Sequence, residues 1–212
     1  MINTLIWDFD GTLFNTYPNT IGILMKIIEE NGKKASYEEL DRLAKVSIGK
    51  TLQYCRDTYG LIDRDIEEFT RRELGSKPQV SKPYEGAFEL CRDIKAAGGQ
   101  NFIYTHRGTE ALGYLDYYGF SEFFTEVVTC ENGFASKPSP EAVEYLLNKY
   151  SLDRSRTMMV GDRIIDIMSG KNAGTAACYF DSDGRAEEMP ADYTVTSLNE
   201  LRNVLFGNGR QN

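Results

Sequence analysis

The chain has 212 residues, 41% of them hydrophobic and 26% charged, ordinary proportions for a globular protein that exclude disordered and collagen-like readings. Its formal net charge of −8 argues against broad binding to a nucleic-acid backbone, which needs clustered Lys and Arg. No window approaches the ~18 consecutive apolar residues of a membrane helix.

The start, Met1-Ile2-Asn3-Thr4, lacks the basic and apolar regions of a secretory signal. A cytoplasmic protein is therefore expected, with neither nucleic acid nor membrane as partner, acting as monomer or homodimer. Cys55, Cys91, Cys130 and Cys178 lie far apart and the chain has one histidine, so zinc would find few ligands and free thiols are expected.

In chain order, Thr4-Leu5-Ile6-Trp7 is a short apolar run before Gly11 and reads as a buried strand. Helical spacing follows. Ile21, Leu24 and Ile28 share a face, and Gly32 stops that helix. Ser36 and Glu39 form a capping box for a second helix carrying Leu40 and Leu43. Leu52, Cys55 and Tyr59 line a third, and Ile66 and Phe69 belong to a fourth. From Pro83 the rhythm becomes helix–strand alternation. A helix through Ala87, Leu90 and Ile94 ends at Gly98-Gly99, and Phe102-Ile103-Tyr104 follows as a strand. Next come a helix through Leu112 and Leu115, a strand at Val127-Val128 and a helix near Pro138. Met158-Met159-Val160 and Ala177-Cys178-Tyr179 are strands with a helix between them.

Such alternation predicts an α/β fold, a Rossmann-like, doubly wound parallel sheet covered on both faces. The all-helical stretch is then an insertion. The expected organisation is a core of residues 1–16 and 83–212 with a four-helix cap domain at 17–82.

Open parallel sheets bind ligands beyond the carboxyl ends of their strands. At those ends stand Asp8-Phe9-Asp10-Gly11-Thr12, Thr105-His106-Arg107, Lys137 before Pro138, and Gly161-Asp162 with Asp166. Two unit negative charges ~4 Å apart repel by about 4 kcal/mol at an effective dielectric of 20, so converging carboxylates call for a cation. Oxygen ligands without His or thiolate select a hard ion, Mg2+ where phosphate is handled. Lys137 adds a second positive charge for transferring oxygens, a combination suited to phosphoryl transfer.

In these residues the chain resembles the haloacid dehalogenase superfamily. Asp8-Phe9-Asp10-Gly11-Thr12-Leu13 is similar to its first motif, Thr105 to its second, Lys137-Pro138 to its third and Gly161-Asp162-Arg163-Ile164-Ile165-Asp166 to its fourth. Gly170 and Ala173-Gly174 continue the fourth, and Ala191-Asp192-Tyr193 with Ser197-Leu198 resembles the closing segment of phosphoglycolate-phosphatase-like members. The resemblance implies a phosphoric monoester hydrolase. Asp8 would be the nucleophile that becomes an aspartyl phosphate, and Asp10 the general acid/base. Thr105 would donate to a phosphate oxygen. Mg2+ would be held by Asp8, Asp162 and the backbone carbonyl of Asp10, with Asp166 ligating or supporting the ion and Lys137. The helical cap would close over the site during reaction.

His106 stands where the family more often has Asn or Ser, as a substrate contact or a loop hydrogen bond. Arg107 and Arg163 could bind a substrate carboxylate or second phosphate, but read first as solvated surface cations. Ala44-Lys45-Val46-Ser47-Ile48-Gly49-Lys50-Thr51 nearly spells a P-loop. It fails because Ala44 replaces the first glycine and a helix precedes it. Lys50 in this turn is a candidate substrate contact. The expected substrate is a small phosphorylated metabolite, phosphoglycolate leading, with a sugar phosphate, a nucleotide and pyrophosphate also compatible. A sugar-phosphate mutase, a dehalogenase and a non-catalytic interaction protein on the same fold are the rivals.

Overall fold

The computed structural model describes residues 2–185 and 188–207. In chain order the elements are β1 (Thr4–Trp7), α1 (Tyr17–Glu30), α2 (Tyr37–Val46), α3 (Ile48–Tyr59), α4 (Asp63–Leu74), α5 (Ala87–Ala96), β2 (Gln100–Tyr104) and α6 (Glu110–Tyr118). They continue with β3 (Phe124–Val128), α7 (Glu141–Lys149), β4 (Thr157–Gly161), α8 (Ile164–Asn172), β5 (Ala176–Phe180), β6 (Tyr193–Val195) and α9 (Leu198–Phe206). The chain folds as two compact units, one of Met1–Phe14 with Pro83–Asn212 and the other of Asn15–Lys82.

The first unit is built on a six-stranded sheet in the order β3-β2-β1-β4-β5-β6, with every neighbouring pair parallel. Period-two alternation sorts the strand residues between two faces. Leu5, Trp7, Ile103, Met158, Val160, Cys178 and Phe180 pack with the buried faces of α5, α6 and α9. Ile6, Phe102, Tyr104 and Met159 pack on α7, while Ala177 and Tyr179 meet Ile167 of α8. Both faces are therefore covered, and the sheet is the doubly wound α/β fold expected from the alternation of elements. The strand order reverses between β1 and β4. Trp7, opposite both Ile103 and Val160, is the last β1 residue before Asp8.

Three local expectations need correction. Leu112, expected on the apolar stripe of α6, is 42% exposed; Ala111, Tyr114 and Leu115 fill that face instead. The closing segment adds a strand and a helix that periodicity did not announce, because β6 has three residues and two are exposed. In the expected capping box of α2, the Ser36 hydroxyl accepts from the Glu39 N–H at 3.3 Å, while its own proton goes to Glu38 at 2.7 Å.

The chain leaves β1 through a turn in which Gly11 takes φ +77, a conformation costly for other residues. Phe14 forms an antiparallel bridge with Pro83, and the Tyr84 N–H donates to the Leu13 carbonyl at 2.9 Å. On the other side of that junction the Asn15 N–H donates to the Lys82 carbonyl at 2.9 Å.

The second unit holds α1 to α4. Tyr17, Ile21, Leu24, Ile27 and Ile28 of α1 meet Leu40, Ala44, Cys55, Leu61 and Phe69. Ala44 is 1% exposed within α2, so the near-P-loop segment is two helices joined at Ser47 and offers no phosphate-cradling turn. Lys50 is exposed in the first turn of α3, its N–H donating to the Ser47 hydroxyl at 3.4 Å. No helix among the described residues is long and apolar enough to cross a membrane, and the four cysteines are unbridged.

Candidate active site

At the carboxyl edge of the sheet, β1 delivers Asp8, β2 delivers Thr105, and β4 delivers Gly161-Asp162 into α8. The Asp8 N–H still donates to the Val160 carbonyl at 2.8 Å, so the ladder holds this residue's backbone. Phe9 and Phe14 stack at 4.6 Å and pin the turn between them to the core.

Asp8, Asp162 and Asp166 each offer a carboxylate oxygen within 4.8 Å of the others. Lys137 enters this group from the loop before α7. Its Nζ lies 2.5 Å from Asp8 Oδ1 and 2.7 Å from Asp166 Oδ1, with the lysine side chain fully buried. The Tyr104 ring lies beneath the ammonium at 4.8 Å. Asp166 also accepts the Arg163 N–H through Oδ2 at 3.1 Å, satisfying a donor at the start of α8. Gly161 has to be glycine, since a Cβ there would stand 2.2 Å from that of Asp166.

Burial opposes the charge on Lys137, yet the Asp166 and Asp8 carboxylates prevail and hold its ammonium above the usual lysine range. Asp8 moves the other way. Burial first, then Asp166, push its carboxyl up to about 6 against the pull of Lys137 and Arg163. Its Oδ2 is buried with no hydrogen-bond partner. Buried polar atoms are nearly always satisfied, and a cation between these carboxylates would satisfy this oxygen while offsetting their mutual repulsion. Three oxygen donors without His or Cys fit a hard divalent ion.

The remaining expected residues sit around this group. Thr105 is fully buried and accepts the Arg107 N–H at 3.0 Å. The Thr12 hydroxyl reaches Asp162 Oδ1 at 3.4 Å. His106 is solvent-accessible, yet partial burial of its ring, then Lys137 and Arg163, push its imidazole down to about 4. It is neutral at physiological pH. Lys50 belongs to the other unit.

The Asp10 carboxylate is not among the three that converge. It turns to Arg107, whose Nε lies 2.8 and 2.9 Å from the two oxygens and whose Nη2 lies 2.7 Å from Oδ1. Arg107 is thus an ion-pair partner with a side chain only 10% exposed, and the Arg163 side chain is only 13% exposed. Neither is a solvated surface cation. Their closeness in the chain to the second and fourth motifs was the signal available in the sequence.

A doubly wound sheet with a lysine-bridged carboxylate group at its switch point is the arrangement of a phosphate-handling hydrolase on an α/β fold. The profile of the haloacid dehalogenase-like hydrolases matches residues 5–180, and the chain belongs to that family. A pyrophosphatase PpaX of Bacillus cereus is 31% identical over 220 residues, with 99% of each chain covered. A hydrolase from Streptococcus pneumoniae shares 28% identity at a TM-score of 0.66, covering 96% of this chain and 98% of that one. A predicted phosphoglycolate phosphatase from Haemophilus somnus superposes at a TM-score of 0.81 with 18% identity and the same coverage.

Proposed function

We propose that this enzyme is a Mg2+-dependent phosphohydrolase that passes the phosphoryl group of a small substrate through Asp8 to water. One observation carries the reading. Lys137 holds Asp8 Oδ1 while Oδ2 is buried without a partner among the carboxylates, the posture of a fixed nucleophile beside a cation site.

Asp8 and Asp162 would hold Mg2+ with the Asp10 carbonyl, and Asp166 would ligate it or support the ligands. When bound, the ion supplies charge neutralisation for the transferring phosphoryl oxygens. Asp8 attacks phosphorus as the bond to the leaving oxygen breaks, giving an aspartyl phosphate. Asp10 gives a proton to a leaving alcohol and later takes one from the attacking water. Lys137 fixes Asp8 and offsets charge at the transferring group, and the Thr105 hydroxyl donates to a phosphoryl oxygen. Neutral His106 is a substrate contact able to donate one hydrogen bond without adding charge.

For the substrate, the PpaX relatives favour pyrophosphate over phosphoglycolate. They match nearly the full chain at 27–31% identity, whereas the phosphoglycolate-phosphatase likeness at 18% identity speaks for the fold. Released phosphate is measured from pyrophosphate, phosphoglycolate and a hexose phosphate, with Mg2+ and with chelator. Release from pyrophosphate that disappears with chelator and in Asp8→Asn is the expected result. Persistent release in Asp8→Asn rejects the nucleophile. Interconversion of hexose phosphates without free phosphate makes the enzyme a mutase.

A further inference from the structure

Arg107 is built into its place rather than draped over it. Its N–H donates to Thr105 Oγ1 at 3.0 Å, and its carbonyl accepts the Cys130 N–H at 2.9 Å. The guanidinium lies 5.7 Å from the rings of both Phe9 and Tyr114, which themselves meet edge to face at 5.6 Å. Backbone and side chain are therefore both fixed, and the forked cation stands against Asp10. A chain of net charge −8 spends a nearly buried arginine here, on the Asp10 side of the site, while Lys137 serves Asp8 and Asp166.

We propose that Arg107 is a specificity-determining residue that selects a leaving group which is itself a phosphate, so that the site prefers phosphoanhydrides to esters of neutral alcohols. The inference rests on the proposed function, in which Asp10 marks the side where the leaving group departs. With pyrophosphate, Asp8 forms a bond to one phosphorus and the bond from that phosphorus to the bridging oxygen breaks. The electron pair leaves with the second phosphate, which keeps whatever proton it brought. Its oxygens would share with Asp10 the guanidinium that now pairs through Nε and Nη2, and such charge-assisted pairs are stronger than neutral ones. A neutral alcohol presents no anion for Arg107 to bind.

The test compares kcat/KM for pyrophosphate and for glycerol 2-phosphate in wild type, Arg107→Gln and Arg107→Lys, with melting curves for each. In Arg107→Gln, pyrophosphate hydrolysis should fall by about 100-fold or more, the loss expected when one partner of a buried charged contact is truncated. Glycerol 2-phosphate should lose no more than about tenfold, the share due to a less ordered Asp10. Arg107→Lys, which keeps the charge and most of the stem, should recover part of the pyrophosphate rate and covers the case in which the glutamine variant folds poorly. Equal losses on both substrates overturn the proposal and leave Arg107 as a positioning residue for Asp10. A wild-type preference for glycerol 2-phosphate overturns it outright. Wild type that releases no phosphate from either substrate, and matches Asp8→Asn, removes the proposed function and this inference with it.

Discussion

Asp8→Asn should make the protein more stable, not less, above pH 6 when divalent cations are chelated. Asp8 is fully buried, and its carboxyl rises from 3.8 to about 6 through burial and then the nearby Asp166. Because the folded value lies above the unfolded one, the sign is set. Well below pH 3.8 the group is protonated in both states and an asparagine is nearly equivalent. As pH climbs from 3.8 to 6, the unfolded chain releases its proton first, and the folded state loses stability relative to the variant. The difference levels off at about 3 kcal/mol above pH 6. For a unit of this size that is a gain of about 6–12 °C in melting temperature. Thermal melts in chelator at pH 4 and pH 8 should show most of the gain at pH 8 and little of it at pH 4, and Mg2+ should narrow it by stabilising the wild type. A variant that melts at or below wild type at pH 8, or whose gain is the same at both pH values, would refute the reasoning.

Further outcomes follow from named positions. Lys137→Met should cost about 3–5 kcal/mol, because it leaves Asp8 and Asp166 buried without their shared cation; urea titration reads it, and adding Asp166→Asn should return part of the loss. Gly161→Ala would bring a methyl to 2.2 Å from Asp166 Cβ, so kcat/KM should drop by about tenfold or more. Gly113→Ala on α6, where nothing lies within 4 Å, is the control and should raise stability by about 0.5–1 kcal/mol. Asn101→Leu should cost about 1–3 kcal/mol in denaturant unfolding, since Asn101 accepts the buried Trp7 indole N–H at 3.0 Å and donates to the Cys91 carbonyl at 2.9 Å.

What was legible in the sequence was whatever local chemistry decides. A four-residue apolar run closed by a glycine turn can hardly be anything but a buried strand, and the stripe of Ile21, Leu24 and Ile28 fits one helical face. Aspartates at strand ends announced the carboxylate group because the fold class itself places those ends together. Arg107 was not legible as a partner of Asp10, for the two are 97 residues apart and only the finished sheet brings them together. The same holds for Asn101, a polar residue with no exposure whose partners come from β1 and α5. Leu112 misled because apolar residues also occupy surfaces, and β6 escaped because two of its three residues are exposed.

The hydrogen-bonded seam at Leu13–Asn15 and Lys82–Tyr84 makes the sheet indifferent to what lies beyond it. Chain exit and re-entry are already zipped together by the Phe14–Pro83 bridge, and the entropic cost of closing a loop rises only slowly with its length. Lineages could therefore lengthen, trim or replace the helices between these two points while the catalytic edge stayed intact. The architecture works like a fixed handle with exchangeable blades, and new substrates can arise by swapping the blade.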